Sequence, residues 1–204
     1  MTRVCLVGAD DVDLRAELLA SETARRALSS YQLAEPWANC VAVETISIGA
    51  AVSLCNDLNW YLRRYTAETL VLEPSVSTNE WLSRALATAV RNERIEPEET
   101  GTFLKIYGVV PSTDDASGSA ATMAEATTGG DVTAARGPNP AIDDDELDAT
   151  DDGGEDGPSA GDGSVTRLAE PLFARRVGGE TPAYDLREVV DTVVVRVTAG
   201  EFGA

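Results

Sequence analysis

The chain has 204 residues, 43% of them apolar, and carries a formal charge of -19. That length and apolar content support one folded core with additional segments. Histidine is absent, which excludes Ser-His-Asp and Cys-His catalysis, histidine zinc sites and histidine phosphotransfer.

Residues 3–8, RVCLVG, form a short apolar run ending in glycine and read as a buried strand. A helical pattern follows to about Tyr31, on the stripe Ala16, Ala20, Ala24, Ala27, Leu28 and Tyr31, with Ser21 placed to cap a second half. Pro36 ends the segment. CVAVETISIG (40–49) is β-branched and reads as a strand. In AAVSLCNDLNWYLRRYT the apolar set Ala51, Leu54, Cys55, Leu58, Tyr61, Leu62 and Tyr65 makes one helical stripe. TLVLEP (69–74) is a strand stopped by proline.

Ser77-Thr78-Asn79-Glu80 matches a capping box, S-x-x-E, and predicts a helix over 78–92 with Trp81, Leu82, Ala85, Leu86 and Ala89 inward. Glu96-Pro97-Glu98-Glu99 offers a further helix start, running to Tyr107. A strand over 102–110 competes for the same residues. Two late strands, 165–177 and 189–198, are joined by a turn-rich stretch, and Pro171 directs the first of them to a sheet edge. No G-x-x-x-x-G-K-[ST], G-x-G-x-x-G or G-x-S-x-G motif occurs.

Between these parts, residues 111–165 hold 14 acids and one base, Arg136, with no aromatic residue and no apolar period. Such a segment cannot bury enough surface to offset the entropy of ordering. The expected fold is therefore α+β (or α/β): a mixed sheet with helices packed on it, formed by 1–110 and 166–204 and interrupted by a disordered acidic insert over 111–165. Read from Asp148, the insert resembles the opening of an EF-hand loop. Thr150 at its third position and Ser159 at its twelfth do not fit calcium. A solvated linker is the expected reading.

Lys105 is the single lysine against fifteen arginines. Abundant carboxylates with almost no lysine fit a chain built for molar salt, where the Debye length is about 3 Å and self-repulsion is screened. A GC-rich genome also favours arginine but does not account for the acid excess. Outside the insert the net charge is only -6, so the charge reports on solvent rather than on a partner. The start, MTRVCLVGADD, has no signal-peptide pattern, and no apolar run reaches the length of a membrane span. Cys5, Cys40 and Cys55 are odd in number without a C-x-x-C, which fits reduced buried thiols. A cytoplasmic protein is expected.

The blocks TRVCLVGADDVDLR (2–15), GAAVSLCNDLNWYL (49–62), EPSVSTNEWLSRALA (73–87), RLAEPLFARR (167–176) and DTVVVRVTAGEF (191–202) resemble a haloarchaeal domain family of unknown function. The resemblance covers about 1–110 and 166–204. It agrees with the salt-adapted reading and implies no activity and no site residues.

Asp10, Asp11 and Asp13 follow the first strand and are the candidate metal ligands, for Mg²⁺. Acids before a helix also cap it without any ligand. A phospho-receiver would need an aspartate at the end of its third strand, where Glu73-Pro74 stands. Asn56, Asn59 and Arg63 share one flank of the third element, with Asp57, Trp60 and Arg64 on the next. A tryptophan so placed is expected to be covered by a neighbouring element. Arg63-Arg64 and Arg175-Arg176 are too sparse for a nucleic-acid footprint. The leading expectation is a non-enzymatic binding or regulatory module with no cofactor, a protein partner and no membrane. The alternatives are an Mg²⁺-dependent enzyme or receiver-like domain on the acidic cluster, and nucleic-acid binding through the C-terminal hairpin.

Overall fold

The structure, a computed structural model, describes residues 1–112, 165–177 and 179–203. The readings made for the insert, including the loop opened by Asp148, fall outside the described residues, apart from its two ends. In chain order the elements are β1 (Thr2–Gly8), α1 (Leu14–Ala20), α2 (Glu22–Leu28), β2 (Cys40–Thr45), α3 (Ile48–Asp57), α4 (Asn59–Tyr65) and β3 (Thr66–Leu72). There follow β4 (Trp81–Ser83), α5 (Arg84–Arg91), a 3-10 turn (Pro97–Gly101), β5 (Phe103–Pro111), β6 (Thr166–Arg175), β7 (Asp191–Arg196) and α6 (Ala199–Phe202). The strands make one mixed sheet in the order β2-β1-β3-β4-β7-β5-β6. Only β4 and β7 run parallel; the other pairings are antiparallel.

Both faces of the sheet are apolar, and this explains the unbroken apolar run of β1. Val4 and Leu6 join Val71, Leu82 and the buried residues of α1, α2, α3 and α5 in the main core. Cys5, Cys40, Ala42, Leu70, Trp81, Tyr107 and Val195 form a second cluster on the opposite face. Cys5, Cys40 and Cys55 are all buried and free. A third cluster, Leu104, Ile106, Val110 and Ala169, is roofed by Tyr184, whose hydroxyl donates to Glu170 O at 2.9 Å.

The sheet curls strongly toward its second face. Three strand spacings separate β3 from β5, about 14 Å in a flat sheet, yet Glu68 of β3 ion-pairs with Lys105 of β5. The curl brings opposite edges together: the amide of Ala38, just before β2, donates to Thr166 O of β6 at 2.6 Å. Trp37 meets Trp81 edge-on across the concavity, with ring centroids 6.2 Å apart.

Several elements differ from the sequence reading. Ser77 Oγ does accept from the Glu80 amide at 3.0 Å, but this closes a turn rather than opening a helix. Residues 81–83 extend as β4, because Trp81 and Leu82 are buried on opposite faces of the sheet. The helix begins six residues later, at Arg84, capped by Ser83 Oγ, which accepts from Leu86 N at 3.1 Å. Only Pro97–Gly101 coils, and the competing strand wins over 103–111. The stripe of 51–65 is broken at Leu58 into α3 and α4, within an Asn/Asp-rich stretch whose side chains compete for backbone hydrogen bonds. The two late strands do not form a hairpin: β5 lies between β6 and β7. Pro171 does sit on an edge strand.

Candidate functional site

The acids singled out after the first strand line a depression of about 650 Å³ with Arg15, Glu35 and Asn39. Their chemistry is largely local. Asp13 caps α1, its Oδ1 accepting from Ala16 N at 2.9 Å. Asn39, at φ 54°, ties the loop down: its Oδ1 accepts from Leu14 N at 2.9 Å and its Nδ2 donates to Ala9 O at 3.0 Å. Arg15 pairs with Glu35. Asp10 and Asp11 are exposed. Because β1 is antiparallel to both neighbours, the loop is not the crevice of a parallel sheet. Among the described residues no three carboxylate or cysteine groups converge to hold a metal. Replacing Asp13 with alanine should lower stability by about 1 kcal/mol, the usual worth of an N-cap. Chemical denaturation checks it, and a change in midpoint without a change in slope is the expected form.

A different group of residues is built as a site. Glu80 sits at the entry to β4, its side chain only 10% exposed, and shares its carboxylate between two guanidinium groups. Arg196 Nε donates to Oε2 at 2.6 Å, and Arg176 Nη2 donates to Oε1. Arg196 is the last residue of β7, opposite Leu82 of β4 and Leu104 of β5. Arg176 follows β6 and is anchored by its amide, which donates to Thr102 O at 2.9 Å.

Two threonines complete the set. Arg196 Nη1 donates to Thr100 Oγ1 at 2.8 Å, and Arg176 Nη2 donates to Thr181 Oγ1 at 2.7 Å. Thr100 is fixed in turn by donating to Pro97 O at 2.6 Å. Burial pushes the Glu80 carboxyl upward, but the hydrogen bonds and charges of Arg176 and Arg196 outweigh it and hold it below the usual range.

The two arginines form the floor of a cleft of about 530 Å³, walled by Ser75, Val76, Glu98 and Gly101. Gly101 lets the chain pass close: a Cβ there would lie 3.1 Å from Arg176 Nη1. One carboxylate facing two guanidiniums leaves one positive charge uncompensated there, and among the described lining residues Glu98 offsets it. Among the described residues Arg176 Nε is buried with no hydrogen-bond partner. In the sequence, Glu80 falls in a capping-box pattern and Arg176 in an isolated basic pair. The overlooked signal was Arg196, a charge inside the apolar strand VVVRVT.

A second polar group lies in the concavity. Glu68 pairs with Lys105 and accepts from the Tyr107 hydroxyl at 2.8 Å. Burial, the Glu68 charge and that hydrogen bond push the Tyr107 hydroxyl well above its ordinary range, so it remains a donor. Lys105 also lies over the rings of Tyr107 and Phe173, at 5.9 and 5.4 Å. The lone lysine is thus half-buried in the concavity.

Asn56 near the end of α3 and Asn59 at the start of α4 turn toward Arg84, whose Nη2 donates to Asn59 Oδ1 at 2.9 Å. Trp60 is not covered by a neighbouring element: it is 61% exposed. No helix among the described residues is long and apolar enough to cross a membrane.

The fold and cleft define an α+β protein with a curled mixed sheet and an arginine-floored cleft. The chain belongs to a family of unknown function, DUF5804, whose model matches residues 2–109. No curated protein and no solved structure matches it. The matched region contains Glu80, Glu68, Lys105 and Tyr107; Arg176 and Arg196 lie beyond it.

Proposed function

We propose that the protein is a non-enzymatic binding module of a salt-adapted, haloarchaeal cytoplasm, and that its ligand is a small oxyanion taken at the Arg176–Arg196 cleft. The observation that carries this reading is the sharing of the single Glu80 carboxylate by two guanidinium groups at the floor of a cleft. Guanidinium groups bind carboxylate and phosphate in a planar, two-bonded geometry that chloride cannot copy. That distinction matters in concentrated KCl, where a simple charge attraction is screened. Glu80 and the threonines fix the arginines beforehand, so little side-chain entropy is lost when a ligand arrives. The composition, with one lysine and a charge of -19, supports the salt-adapted setting.

The test is thermal unfolding at constant molar KCl with acetate, succinate or inorganic phosphate added. An oxyanion at a hundred times its dissociation constant should raise the midpoint by about 5–10 °C. Ser75→Trp, which adds a bulky side chain to the wall of the cleft, should remove the response. Succinate against phosphate separates carboxylate from phosphate recognition. No shift with any oxyanion, or an equal shift in Ser75→Trp, would overturn the reading.

A further inference from the structure

We propose that the outer face of α4 is a docking surface for an acidic segment of another protein. The helix buries Leu62 and turns Trp60, Arg63 and Arg64 outward. Trp60 is propped by two tyrosines, with Tyr61 and Tyr65 edge-on at 5.0 and 5.9 Å. The Arg64 guanidinium lies 5.9 Å from the Trp60 ring and 5.6 Å from Tyr65. An ordered, exposed tryptophan flanked by tyrosine and arginine has the composition of an interface anchor.

Charge selects the partner. Residues 57–67 contain two arginines and one acid, Asp57, in a chain of net charge -19. Arg63 and Arg64, like six other described arginines, have no carboxylate partner within 4.0 Å among the described residues. Two unmatched guanidiniums beside an exposed indole fit carboxylates that flank an apolar side chain. A nucleic acid fits less well. Its phosphate contacts weaken steeply with salt, and it offers no apolar side chain to the indole. An acidic peptide keeps the apolar contact with Trp60, which salt does not screen.

The probe is a fluorescently labelled synthetic peptide of alternating glutamate and leucine, read by anisotropy against the full chain in molar KCl. Its lysine-leucine counterpart and labelled oligodeoxythymidine are the comparisons. The acidic peptide should bind saturably, and Trp60→Ala and the double variant Arg63→Ala, Arg64→Ala should each weaken it about tenfold or more. These residues are exposed, so both variants should keep the wild-type circular dichroism. The proposal is overturned if oligodeoxythymidine binds as tightly, if the basic peptide does, or if no probe binds. It is equally overturned if Trp60→Ala leaves the affinity unchanged, or if sedimentation shows a dimer that Trp60→Ala dissociates.

Discussion

Glu80→Ala should destabilise the fold by about 3–5 kcal/mol, the cost of removing one partner from a buried ion pair. The substitution leaves two guanidinium groups, 14% and 16% exposed, facing each other without a carboxylate. That loss is large against a typical total stability of about 5–15 kcal/mol. Glu80→Gln keeps an acceptor but not the charge, so it should fall between wild type and alanine. The pH dependence follows from the same contacts. The folded-state carboxyl is held below its ordinary value, so its stabilisation is fully present above the usual carboxylate range. It is lost as the pH falls through that range toward the lowered folded value. Denaturant titrations from neutral to acid pH should therefore show a shallower acid loss in Glu80→Gln than in wild type.

Lys105→Ala should be comparably costly, about 3–5 kcal/mol, because Glu68 would be left in the concavity without its cation. Lys105 and Glu68 are 22% and 15% exposed. Pairs so enclosed are screened little by salt, so the cost should persist in molar KCl. An exposed pair such as Arg26–Glu22 should contribute almost nothing there. The double replacement Lys105→Met, Glu68→Gln tests the cause. Glutamine still accepts from the Tyr107 hydroxyl, and no charge remains buried, so the pair should recover most of the stability lost in Lys105→Ala. A double variant no better than Lys105→Ala would show that packing, not charge, holds the site.

How much of this was legible follows from where the physics is local. The runs 3–8, 40–49 and 189–198 declare strands, because each presents apolar residues on both faces; the second strand stops at Thr45, where Ser47 caps α3, and the third spans Asp191–Arg196. The stripe of 51–65 declared its helical face, and Pro171 its sheet edge. The stretch 77–83 misled, because S-x-x-E forms the same side-chain hydrogen bond in a turn as at a helix start. Only the burial of Trp81 and Leu82 on opposite faces decides between them. The segment 97–107 carries both signals: Pro97–Gly101 coils, and the sheet position between β6 and β7 settles the residues from Phe103 as strand. Asp13 was legible as a cap. The Glu80–Arg176–Arg196 group was not, since 96 and 116 residues separate Glu80 from its partners, and no spacing rule reaches so far. Trp60 was misjudged for a related reason: periodicity shows which flank a side chain occupies but not whether another element covers that flank.

The most direct measurement of the central claim reads the two guanidinium groups themselves. Arginine Nε–Hε correlation spectra, recorded in molar KCl while succinate or phosphate is added, resolve each arginine separately. The cleft account predicts saturable shifts at Arg176 and Arg196, and no saturable change at the exposed Arg26. Shifts that are absent, or linear and alike at every arginine, would contradict it.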